Sequence, residues 1–557
     1  MPLAHAALAL APLLALQSPA EPVAPARPRL VVFVVVDQMI PAQLERLRPL
    51  LGGGLGRFVA HGTWYRQTWI DYAVTVTAPG HATLSTGVHP SRHGIVSNEK
   101  PKADESGLEA TVSEVGALRV QGLADWVREF APGSKSFSAS VKDRSAILLA
   151  GQHPDVAVCW DGGNGGFEPA QPGVKDLPAW IAAWNSGWIE RAAPGGKPWT
   201  WANEIPGDPL ALGCQPDDQV GEAPWFAGGI TFPHVGPSAP EAGKRASRLA
   251  SFTVLSPLGD AFCVDLARRA VDELALGADA VPDVLCVSLS GCDAVGHALG
   301  PYSQEVTDLL LRADRELAKL FADLDAKVGA ERWIAALSAD HGVPDLPERR
   351  RARLEGGERI ASSVLKQAAQ AVDALLVEEG LAGAALSFDV RGLYLKRSKL
   401  KDARDPVALR AKLRDLLVAQ LPCARAFTSD ELAAALAAEA MSAESRPSAQ
   451  APADAKPAAL DTWLVLAAHS FDAERSPDVS IQYPPGSLVA LAAGTTHGSP
   501  NDYDRRVPLA FLGPGFAARE DWRSVRTVDA LPTLLHAAGF TPPAGLDGRS
   551  LFDDRAH

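Results

Sequence analysis

The stretch Leu30–Asp37, LVVFVVVD, is an unbroken apolar and mostly β-branched run that ends in a single acid. A run of this kind is typical of a strand that is buried on both faces of a parallel sheet. The same design, an apolar strand followed by a small turn and an acid, recurs as DVLCVSLSGCD at 283–293 and RWIAALSADH at 332–341. Three such strands predict a sheet with acids gathered along one edge.

Helical periodicity separates these strands. In SQEVTDLLLRADRELAKLFADLDAKVG, at 303–329, apolar residues recur at three- and four-residue spacing, and Ser303 is suited to be the N-cap. An earlier helix fits GDAFCVDLARRAVDELAL at 259–276. The alternation of strands and helices predicts an α/β fold, in which a doubly wound and mostly parallel sheet is sandwiched by helices.

Other parts of the chain fit this core less well. Residues 150–250, rich in Trp, Gly and Pro, are interpreted as loop-rich decoration of a core spanning 28–345 and 480–557. Residues 346–479 are interpreted as a cap-like insertion, because RRVPLAFLGPGF at 505–516 returns to core-like strand character. Within it, the Ala/Pro/Ser-rich stretch near 442–460 is expected to be mobile and disordered.

The composition excludes several classes of protein. The 557-residue chain is 47% hydrophobic and 21% charged, as is ordinary for globular proteins. A formal net charge of −13, without a long Lys/Arg block, argues against duplex nucleic acid or a membrane surface as partner. Six cysteines without a CxxC pair are too sparse for a disulfide scaffold. Cys286 and Cys292 are expected to be small buried side chains rather than metal ligands.

The N-terminus has the length and composition of a signal peptide. LAHAALALAPLLALQSPA, at 3–20, is apolar and ends in a small-x-small pattern at Ser18 and Ala20, although it lacks an early Lys or Arg. It is too short and too interrupted by proline to span a membrane comfortably. We expect residues 1–20 to be removed and the protein to be periplasmic or secreted; the alternative is a disordered Ala/Pro-rich tail.

Acids and histidines at the strand ends point to metal. Ligands of parallel sheets bind beyond the carboxyl ends of the strands, where Asp37, Asp293 and Asp340 would form a like-charge cluster that needs cations. Asp293 and His297 are four residues apart, so one helical turn would place them on one side. His341 follows Asp340, and a further histidine, His497, lies in a glycine-flanked loop. Mixed Asp and His ligands favour Zn²⁺ over Mg²⁺ or Ca²⁺.

A pair of such ions needs a nucleophile. Two metals can clamp the attacking and leaving oxygens of a phosphoryl displacement, and a metal-bound hydroxyl loses its proton at moderate pH. The candidate is Thr77, which opens TAPGHATLSTGVHPSRHGIVSN at 77–98. We interpret this stretch as a loop that approaches a ligand closely, because Gly80, Gly87 and Gly94 permit backbone turns closed to other residues.

These motifs resemble the alkaline phosphatase superfamily. The match is closest to the monomeric, phosphate-irrepressible bacterial alkaline phosphatases with a threonine nucleophile, which are relatives of nucleotide pyrophosphatase/phosphodiesterases. It rests on DQM after the first strand, the 77–98 stretch, SVKDRSAI, SLSGCDAVGHALGP, SADHG, THGSPNDYDRRVP and DALPTLLHAAGFTPPAGLDGRSL, in the expected order. The resemblance covers roughly residues 28–345 and 480–557 and only weakly the 346–479 block.

The resemblance implies a ligand set for two zinc ions. One ion would be held by Asp293, His297 and His497. The other would be held by Asp37, Asp340 and His341, with Thr77 as its nucleophilic ligand.

The resemblance also implies roles within the 77–98 stretch. Asn98 would donate hydrogen bonds to a phosphoryl oxygen. His81, His89 and His93 would not be ligands, and His81 and His93 would brace the stretch. Glu99 and Lys100 stand where many relatives continue with an aromatic residue, a departure expected to alter the rim of the pocket.

SVKDRSAI, at 140–147, bears on the substrate. In extended backbone Lys142 and Arg144 would point the same way and reach one spot, and the motif looks like the superfamily's monoesterase signature. The resemblance therefore implies a monomeric, broad-range phosphomonoesterase that acts on small phosphate esters through a phospho-threonine.

Other functions remain open at this point. The nearest alternative is a phosphodiesterase or nucleotide pyrophosphatase on the same metal core. A sulfatase is disfavoured because the Cys/Ser-x-Pro-x-Arg motif is missing at Thr77. A non-catalytic zinc- or phosphate-binding protein is disfavoured because every matched ligand is present.

Overall fold

The structure is a computed structural model that describes residues 27–114, 116–226, 229–241, 244–423, 425–444 and 462–552. The predicted signal peptide at 1–20 lies outside the described residues. So does the predicted mobile stretch near 442–460 from residue 445 onward.

The described strands, in chain order, are β1 (Leu30–Val36), β2 (Thr63–Trp69), β3 (Glu99–Pro101), β4 (Leu108–Ala110), β5 (Ser136–Ala139), β6 (Val156–Trp160), β7 (Phe167–Pro169), β8 (Thr200–Trp201), β9 (His234–Val235), β10 (Asp283–Leu289), β11 (Trp333–Ser338), β12 (Glu358–Ile360), β13 (Ala385–Asp389), β14 (Gly392–Leu395), β15 (Arg425–Thr428), β16 (Val479–Gln482), β17 (Ser487–Val489), β18 (Arg506–Leu512) and β19 (Arg519–Arg526).

The described helices are α1 (Pro41–Leu47), α2 (Gly54–His61), α3 (Thr77–Thr86), α4 (Pro90–His93), α5 (Leu123–Phe130), α6 (Asp143–Ala150), α7 (Ala179–Asn185), α8 (Trp188–Ala192), α9 (Ser247–Val254), α10 (Pro257–Glu273), α11 (Gly291–Leu299), α12 (Gln304–Leu324), α13 (Pro347–Ala352), α14 (Ser362–Glu378), α15 (Arg397–Leu400), α16 (Pro406–Gln420), α17 (Ser429–Glu444), α18 (Thr462–His469), α19 (Asp502–Arg505) and α20 (Ala530–Ala537).

One nine-stranded sheet organises the core, in the order β19-β2-β18-β11-β1-β10-β5-β6-β7. Its centre, from β11 through β1, β10 and β5 to β6, is parallel. β18 runs antiparallel to both of its neighbours, β7 is an antiparallel edge strand, and β19 is parallel to β2. The prediction of a mostly parallel sheet is confirmed.

The central strand is buried on both faces, as its composition predicts. Every residue of β1 is fully buried. The even-numbered residues from Leu30 to Val36 join the apolar cluster that includes α10 and α12. Val31, Phe33 and Val35 join the opposite cluster, with α5 and α20. Because strand side chains alternate between faces, one apolar run supplies both helical layers with core.

The two predicted helices are present as α10 and α12. Ser303 caps α12 by accepting a hydrogen bond from the Val306 N–H at 3.1 Å. α12 buries an apolar stripe that runs from Val306 to Leu324. Among the described residues no single helix combines the length and apolar character needed to cross a membrane. The helices α9 and α10 reach that length and apolar character only when taken together, and the pair is bent by 84°.

Three strands of the region predicted to be an insertion form a small sheet with β16, which begins at the last residue of that region and continues to Gln482. β13, β14, β16 and β15 lie side by side in that order, and α14 and α16 share an apolar cluster with them. β13 and β14 form an antiparallel hairpin. The boundaries at 346 and 479 stay a prediction.

Candidate metal centre and phosphoryl site

Three neighbouring strands of the sheet end in buried acids. β11, β1 and β10 lie side by side, with Asp37 directly after β1, Asp340 just after β11 and Asp293 in the first turn of α11. The Asp37 N–H donates to the carbonyl of Leu289, which holds the ends of β1 and β10 together at 2.9 Å. Because parallel strands end at one edge, distant acids meet there.

Asp293, His297 and His497 form the first group. One ligand atom from each lies within 4.8 Å of the others. Asp293 Oδ1 is 3.1 Å from His297 Nε2 and 3.4 Å from His497 Nε2. The rear nitrogens donate to backbone carbonyls, His297 Nδ1 to Thr495 at 2.9 Å and His497 Nδ1 to Thr75 at 2.8 Å. These bonds place the proton on Nδ1 and turn Nε2 toward Asp293.

The second group forms around His341. Its Nε2 lies 3.4 Å from Asp37 Oδ1 and 3.4 Å from Asp340 Oδ2, while Nδ1 donates to the Gly342 carbonyl at 3.1 Å. Asp37, His341 and Asp293 also have ligand atoms within 4.8 Å of one another. The predicted ligands Asp37, Asp340 and His341 are thus together, with Asp293 as a neighbour common to both groups.

The donor atoms of the second group fit a divalent cation. Asp37 Oδ1 and His341 Nε2 are buried and have no hydrogen-bond partner within the described part of the chain, and buried Asp340 Oδ2 faces the His81 ring, at 3.2 Å. Buried polar atoms are nearly always paired, and a set of carboxylate oxygens and imidazole nitrogen is one that Zn²⁺ accepts. Burial, followed by the Asp340 carboxylate, raises the pKa of Asp37, and a divalent cation beside it would favour its ionised form.

Lys142 joins the two groups. Its Nζ donates to Asp37 Oδ2 and to Asp293 Oδ2, both at 2.6 Å. Burial opposes the charge of this lysine, but the carboxylates of Asp293 and Asp37 outweigh it and raise the pKa of Lys142. The ammonium therefore stays charged at the boundary between the groups.

Arg144 forms its ion pair with Asp143 rather than with the acids of the centre. Lys142 is the extended N-cap residue of α6, and the helix begins at Asp143, so the expectation that extended backbone aligns the two cations is wrong. Arg144 Nη1 lies 3.8 Å from Asp143 Oδ1, and its buried Nε has no hydrogen-bond partner among the described residues. The guanidinium thus keeps donor capacity that Asp143 does not use.

Thr77 is the first residue of a helix rather than part of a loop. α3 runs from Thr77 to Thr86, and only Gly87 and Gly94 take the left-handed conformation that ends α3 and α4. The glycine-rich loop expected across this stretch is therefore wrong for its first ten residues. Pro79 is tolerated because the N–H groups of a first turn have no helical partner.

α3 packs directly on the second group. A Cβ on Gly80 would lie 2.2 Å from the carbonyl oxygen of Asp340, so only glycine allows this approach. His81 Nδ1 lies 2.9 Å from the Thr77 carbonyl and 3.2 Å from Asp340 Oδ2. Its Nε2 is 2.8 Å from Ser288 Oγ. His81 thereby braces the start of α3 against the sheet edge.

Asn98 is oriented by the same helix. Its Oδ1 accepts the Ala78 N–H at 2.8 Å, which leaves the amide Nδ2 to donate elsewhere. His93, predicted to brace this stretch, contacts Thr83 Oγ1 at 3.1 Å through Nε2 and accepts the Ile95 N–H at 3.1 Å through Nδ1.

Gln38 is a site residue that sequence reasoning missed. Its Nε2 donates to Asp293 Oδ1 at 2.8 Å, and its backbone N–H donates to Asp340 Oδ1 at 3.2 Å. It is fully buried with φ of 70°, a strained value for a residue with a side chain. Its place directly after Asp37 is the one sequence signal that pointed to it.

A third His/Asp group lies away from this centre. Asp71, His89 and His469 have ligand atoms within 4.8 Å of one another. The two imidazole rings are stacked 4.0 Å apart with 11° between their planes, so their in-plane lone pairs do not converge on one ion. His89 contacts Asp71 at 2.9 Å and Asp547 at 3.2 Å, and His469 contacts Glu439 at 2.8 Å. These contacts form a network of charged hydrogen bonds.

Comparison with known proteins agrees with this geometry. Residues 31–504 match the family described as type I phosphodiesterase / nucleotide pyrophosphatase. The chain therefore belongs to this family, within the alkaline phosphatase superfamily.

Among its relatives, alkaline phosphatase PhoK of Sphingomonas sp. is 30% identical, covering 96% of this chain and 92% of PhoK. Alkaline phosphatase PafA of Elizabethkingia meningoseptica is 27% identical, covering 94% of each chain. The crystal structure of wild-type PafA superimposes with a TM-score of 0.78 at 26% identity, covering 95% of this chain and 99% of that one. Family and geometry together indicate a divalent metal cofactor.

Proposed function

We propose that this protein is a phosphomonoesterase that hydrolyses small phosphate esters through a phospho-threonine at Thr77, beside two zinc ions. One observation carries the proposal. Two His/Asp groups meet at Asp293 and are joined by Lys142, and α3, the helix that begins with Thr77, lies beside them. The names of the relatives PhoK and PafA, both alkaline phosphatases, support it.

Two ions suit the ring geometry. His341 and His497 stack 3.5 Å apart with 15° between their planes, so the lone pairs of the two rings lie in separate, nearly parallel planes and do not converge on one ion. Asp293, His297 and His497 would hold one ion; Asp37, Asp340 and His341, with Thr77, would hold the other. When bound, zinc would lower the pKa of a coordinated hydroxyl and stabilise negative charge on the phosphoryl oxygens.

The chain's own groups would carry two displacements. The Thr77 oxygen attacks phosphorus, the bond from phosphorus to the ester oxygen breaks, and the alcohol leaves after taking a proton. Water then attacks the phospho-threonine, Thr77 regains its proton, and inorganic phosphate leaves. Asn98 Nδ2 and the backbone N–H of Thr77, at the N-terminus of α3, would donate to phosphoryl oxygens throughout.

The charge around Lys142 favours a monoester over a diester. A monoester is a dianion with three non-bridging oxygens, whereas a diester carries less charge and an extra alkoxy group. Lys142 is buried and charged between the two groups, and Arg144 has donors to spare. We infer that both cations serve the dianion, Arg144 with its planar fork and Lys142 as a point charge.

The test compares a phosphate monoester with a matched diester. We expect Lys142→Ala combined with Arg144→Ala to lower kcat/KM for the monoester by on the order of 10²–10³ and for the diester much less. The control is Arg315→Ala with Lys319→Ala, which removes two exposed cations of α12. Equal losses on both substrates would show that the pair is structural and would contradict the monoesterase proposal.

We further propose that the enzyme is exported to the periplasm or the medium and acts as a monomer. The support for export is the apolar 3–20 stretch with its small-x-small ending. Intact-mass analysis of enzyme recovered from outside the cytoplasm should show a chain that begins after Ala20. A cytoplasmic protein that retains Met1 would contradict export, and light scattering would test the monomer.

A further inference from the structure

Arg391, which lies in the region predicted to be an insertion, reaches both residues that flank Asn98. It occupies the turn of the β13–β14 hairpin, and its guanidinium is largely buried. Nη1 donates to Ser97 Oγ at 2.7 Å, and Nη2 donates to Glu99 Oε2 at 2.8 Å. Almost three hundred residues of sequence separate Arg391 from these two acceptors.

The guanidinium is itself held in place. Asp389 Oδ2 accepts from Arg391 Nε at 3.0 Å and also contacts Nη2. Asp389 Oδ1 accepts the backbone N–H of Arg391 at 2.8 Å. The fork is thus anchored on its own hairpin before it reaches the core, which distinguishes it from an exposed ion pair on flexible side chains.

The segment that Arg391 grips leads directly to the nucleophile. Ser97 is buried, and Asn98 between the two contacts is fixed at its carbonyl by the Thr111 N–H at 2.9 Å. The Asn98 amide then meets the first turn of α3 at Ala78. A cavity of about 190 Å³ is lined by Arg391, Ser97, Val76 and His497 and lies between hairpin and core.

We propose that Arg391 is a positioning residue of the phosphoryl site: it holds the Ser97–Glu99 backbone so that Asn98 Nδ2 stays aimed at a phosphoryl oxygen. This inference rests on the proposed function, since it requires Asn98 to be a phosphoryl donor. The β13–β14 hairpin would then help to hold Asn98 in its catalytic position. The Glu99 carboxylate becomes one of the two anchors.

The test is a double-mutant cycle on the zinc-loaded, full-length enzyme with p-nitrophenyl phosphate. Arg391→Ala should lower kcat/KM by about 10- to 100-fold, as expected for a misplaced catalytic group. In an Asn98→Ala background the same change should have almost no further effect, because the group that it positions is gone. Calorimetric titration with inorganic phosphate should show the same pattern in the dissociation constant.

Two controls separate positioning from stability. Arg414 of α16 is another arginine of this region that is paired to acids, Asp415 and Glu431. Arg414→Ala should leave kcat/KM and phosphate affinity unchanged. If Arg391→Ala fails to fold, Ser97→Ala with Glu99→Ala removes the two acceptors and leaves the Asp389 contacts intact.

The outcomes distinguish the two proposals. Losses from Arg391→Ala and Asn98→Ala that multiply would overturn the positioning role and leave Asn98 as a phosphoryl donor. An Asn98→Ala enzyme with wild-type kcat/KM would remove the donor role from the proposed function, and the role of Arg391 with it.

Discussion

Asp293 is the residue at which the two candidate ion sites meet. Its Oδ1 faces His297, His497 and the Gln38 amide, and its Oδ2 accepts from Lys142. Burial alone would raise the pKa of this carboxyl, but His297 and Lys142 bring it well below its usual range. Asp293 therefore stays an anion between two sets of donors, although the sequence predicted it as a ligand of one ion only.

Thr77 carries the prediction that belongs to the residue scale. We expect Thr77→Ala to keep bound metal and the fold but to lower monoester turnover by at least about 10³-fold, because the covalent step loses its oxygen. Acid quenching of wild-type enzyme with labelled substrate should trap phosphate on Thr77, located by peptide mapping.

Thr86→Ala supplies the matched control. Thr86 lies in the same helix and donates to the Ala82 carbonyl at 2.7 Å, away from the acids. The Thr86→Ala enzyme should carry label on Thr77 and should turn over substrate as the wild type does. Label on any other side chain would contradict the role of Thr77.

At the scale of elements, the contact between α3 and the end of β11 sets the distance from nucleophile to acids. We expect Gly80→Ala to separate them and to lower kcat/KM by about 100-fold, because the new Cβ would lie 2.2 Å from the Asp340 carbonyl oxygen. Overpacking of this kind costs about 1–3 kcal/mol of stability. Gly52→Ala, which meets nothing within 4 Å, is the control. Wild-type activity in Gly80→Ala would contradict the close approach.

The link between α18 and α4 predicts a pH-dependent stability. Burial would lower the pKa of His469, but Glu439 and then Asp71 raise it in the folded state. The stabilisation is thus fully present below the unfolded pKa of about 6.5 and is lost as pH rises through the higher folded pKa. We expect His469→Phe to lower the free energy of unfolding by about 1–3 kcal/mol at pH 6 and by less at pH 9.

Denaturant melts at the two pH values measure this difference. His61→Phe, a change of an exposed histidine at the end of α2, should show no comparable trend with pH. A His469→Phe deficit that grows toward pH 9 would contradict the charged network.

For the whole molecule, bound metal should contribute a large part of the free energy of unfolding. Three buried carboxylates, Asp37, Asp293 and Asp340, meet at one sheet edge and repel one another unless cations neutralise them. We expect chelation to abolish activity and to lower Tm, because it removes on the order of 4 kcal/mol from the free energy of unfolding that applies when free zinc exceeds Kd a thousandfold. Metal analysis should give two zinc ions per chain, and zinc should restore both properties.

Asp293→Asn tests the origin of that effect. Because it weakens both ligand groups together, its Tm should respond little to chelator. Full activity or an unchanged Tm in metal-free wild type would contradict the metal centre.

The sequence by itself determined the layers and most of the donor types. The β1, β10 and β11 runs, the α12 periodicity with its Ser303 cap, and the four-residue spacing of Asp293 and His297 are short-range patterns. Their consequences follow from the geometry of one strand or one helical turn, so no distant partner is needed to interpret them.

Only the tertiary structure decided which of these groups touch. The bridge from Lys142 to Asp37 and Asp293, the grip of Gln38 on Asp293, and the reach of Arg391 to Ser97 each join residues more than a hundred positions apart. Even the helical start at Thr77 is a tertiary outcome, because Gly80 and Pro79 favour a turn locally, whereas packing on Asp340 needs the bare backbone of a helix. Such contacts depend on strand order and on close packing between layers, which residue spacing does not encode.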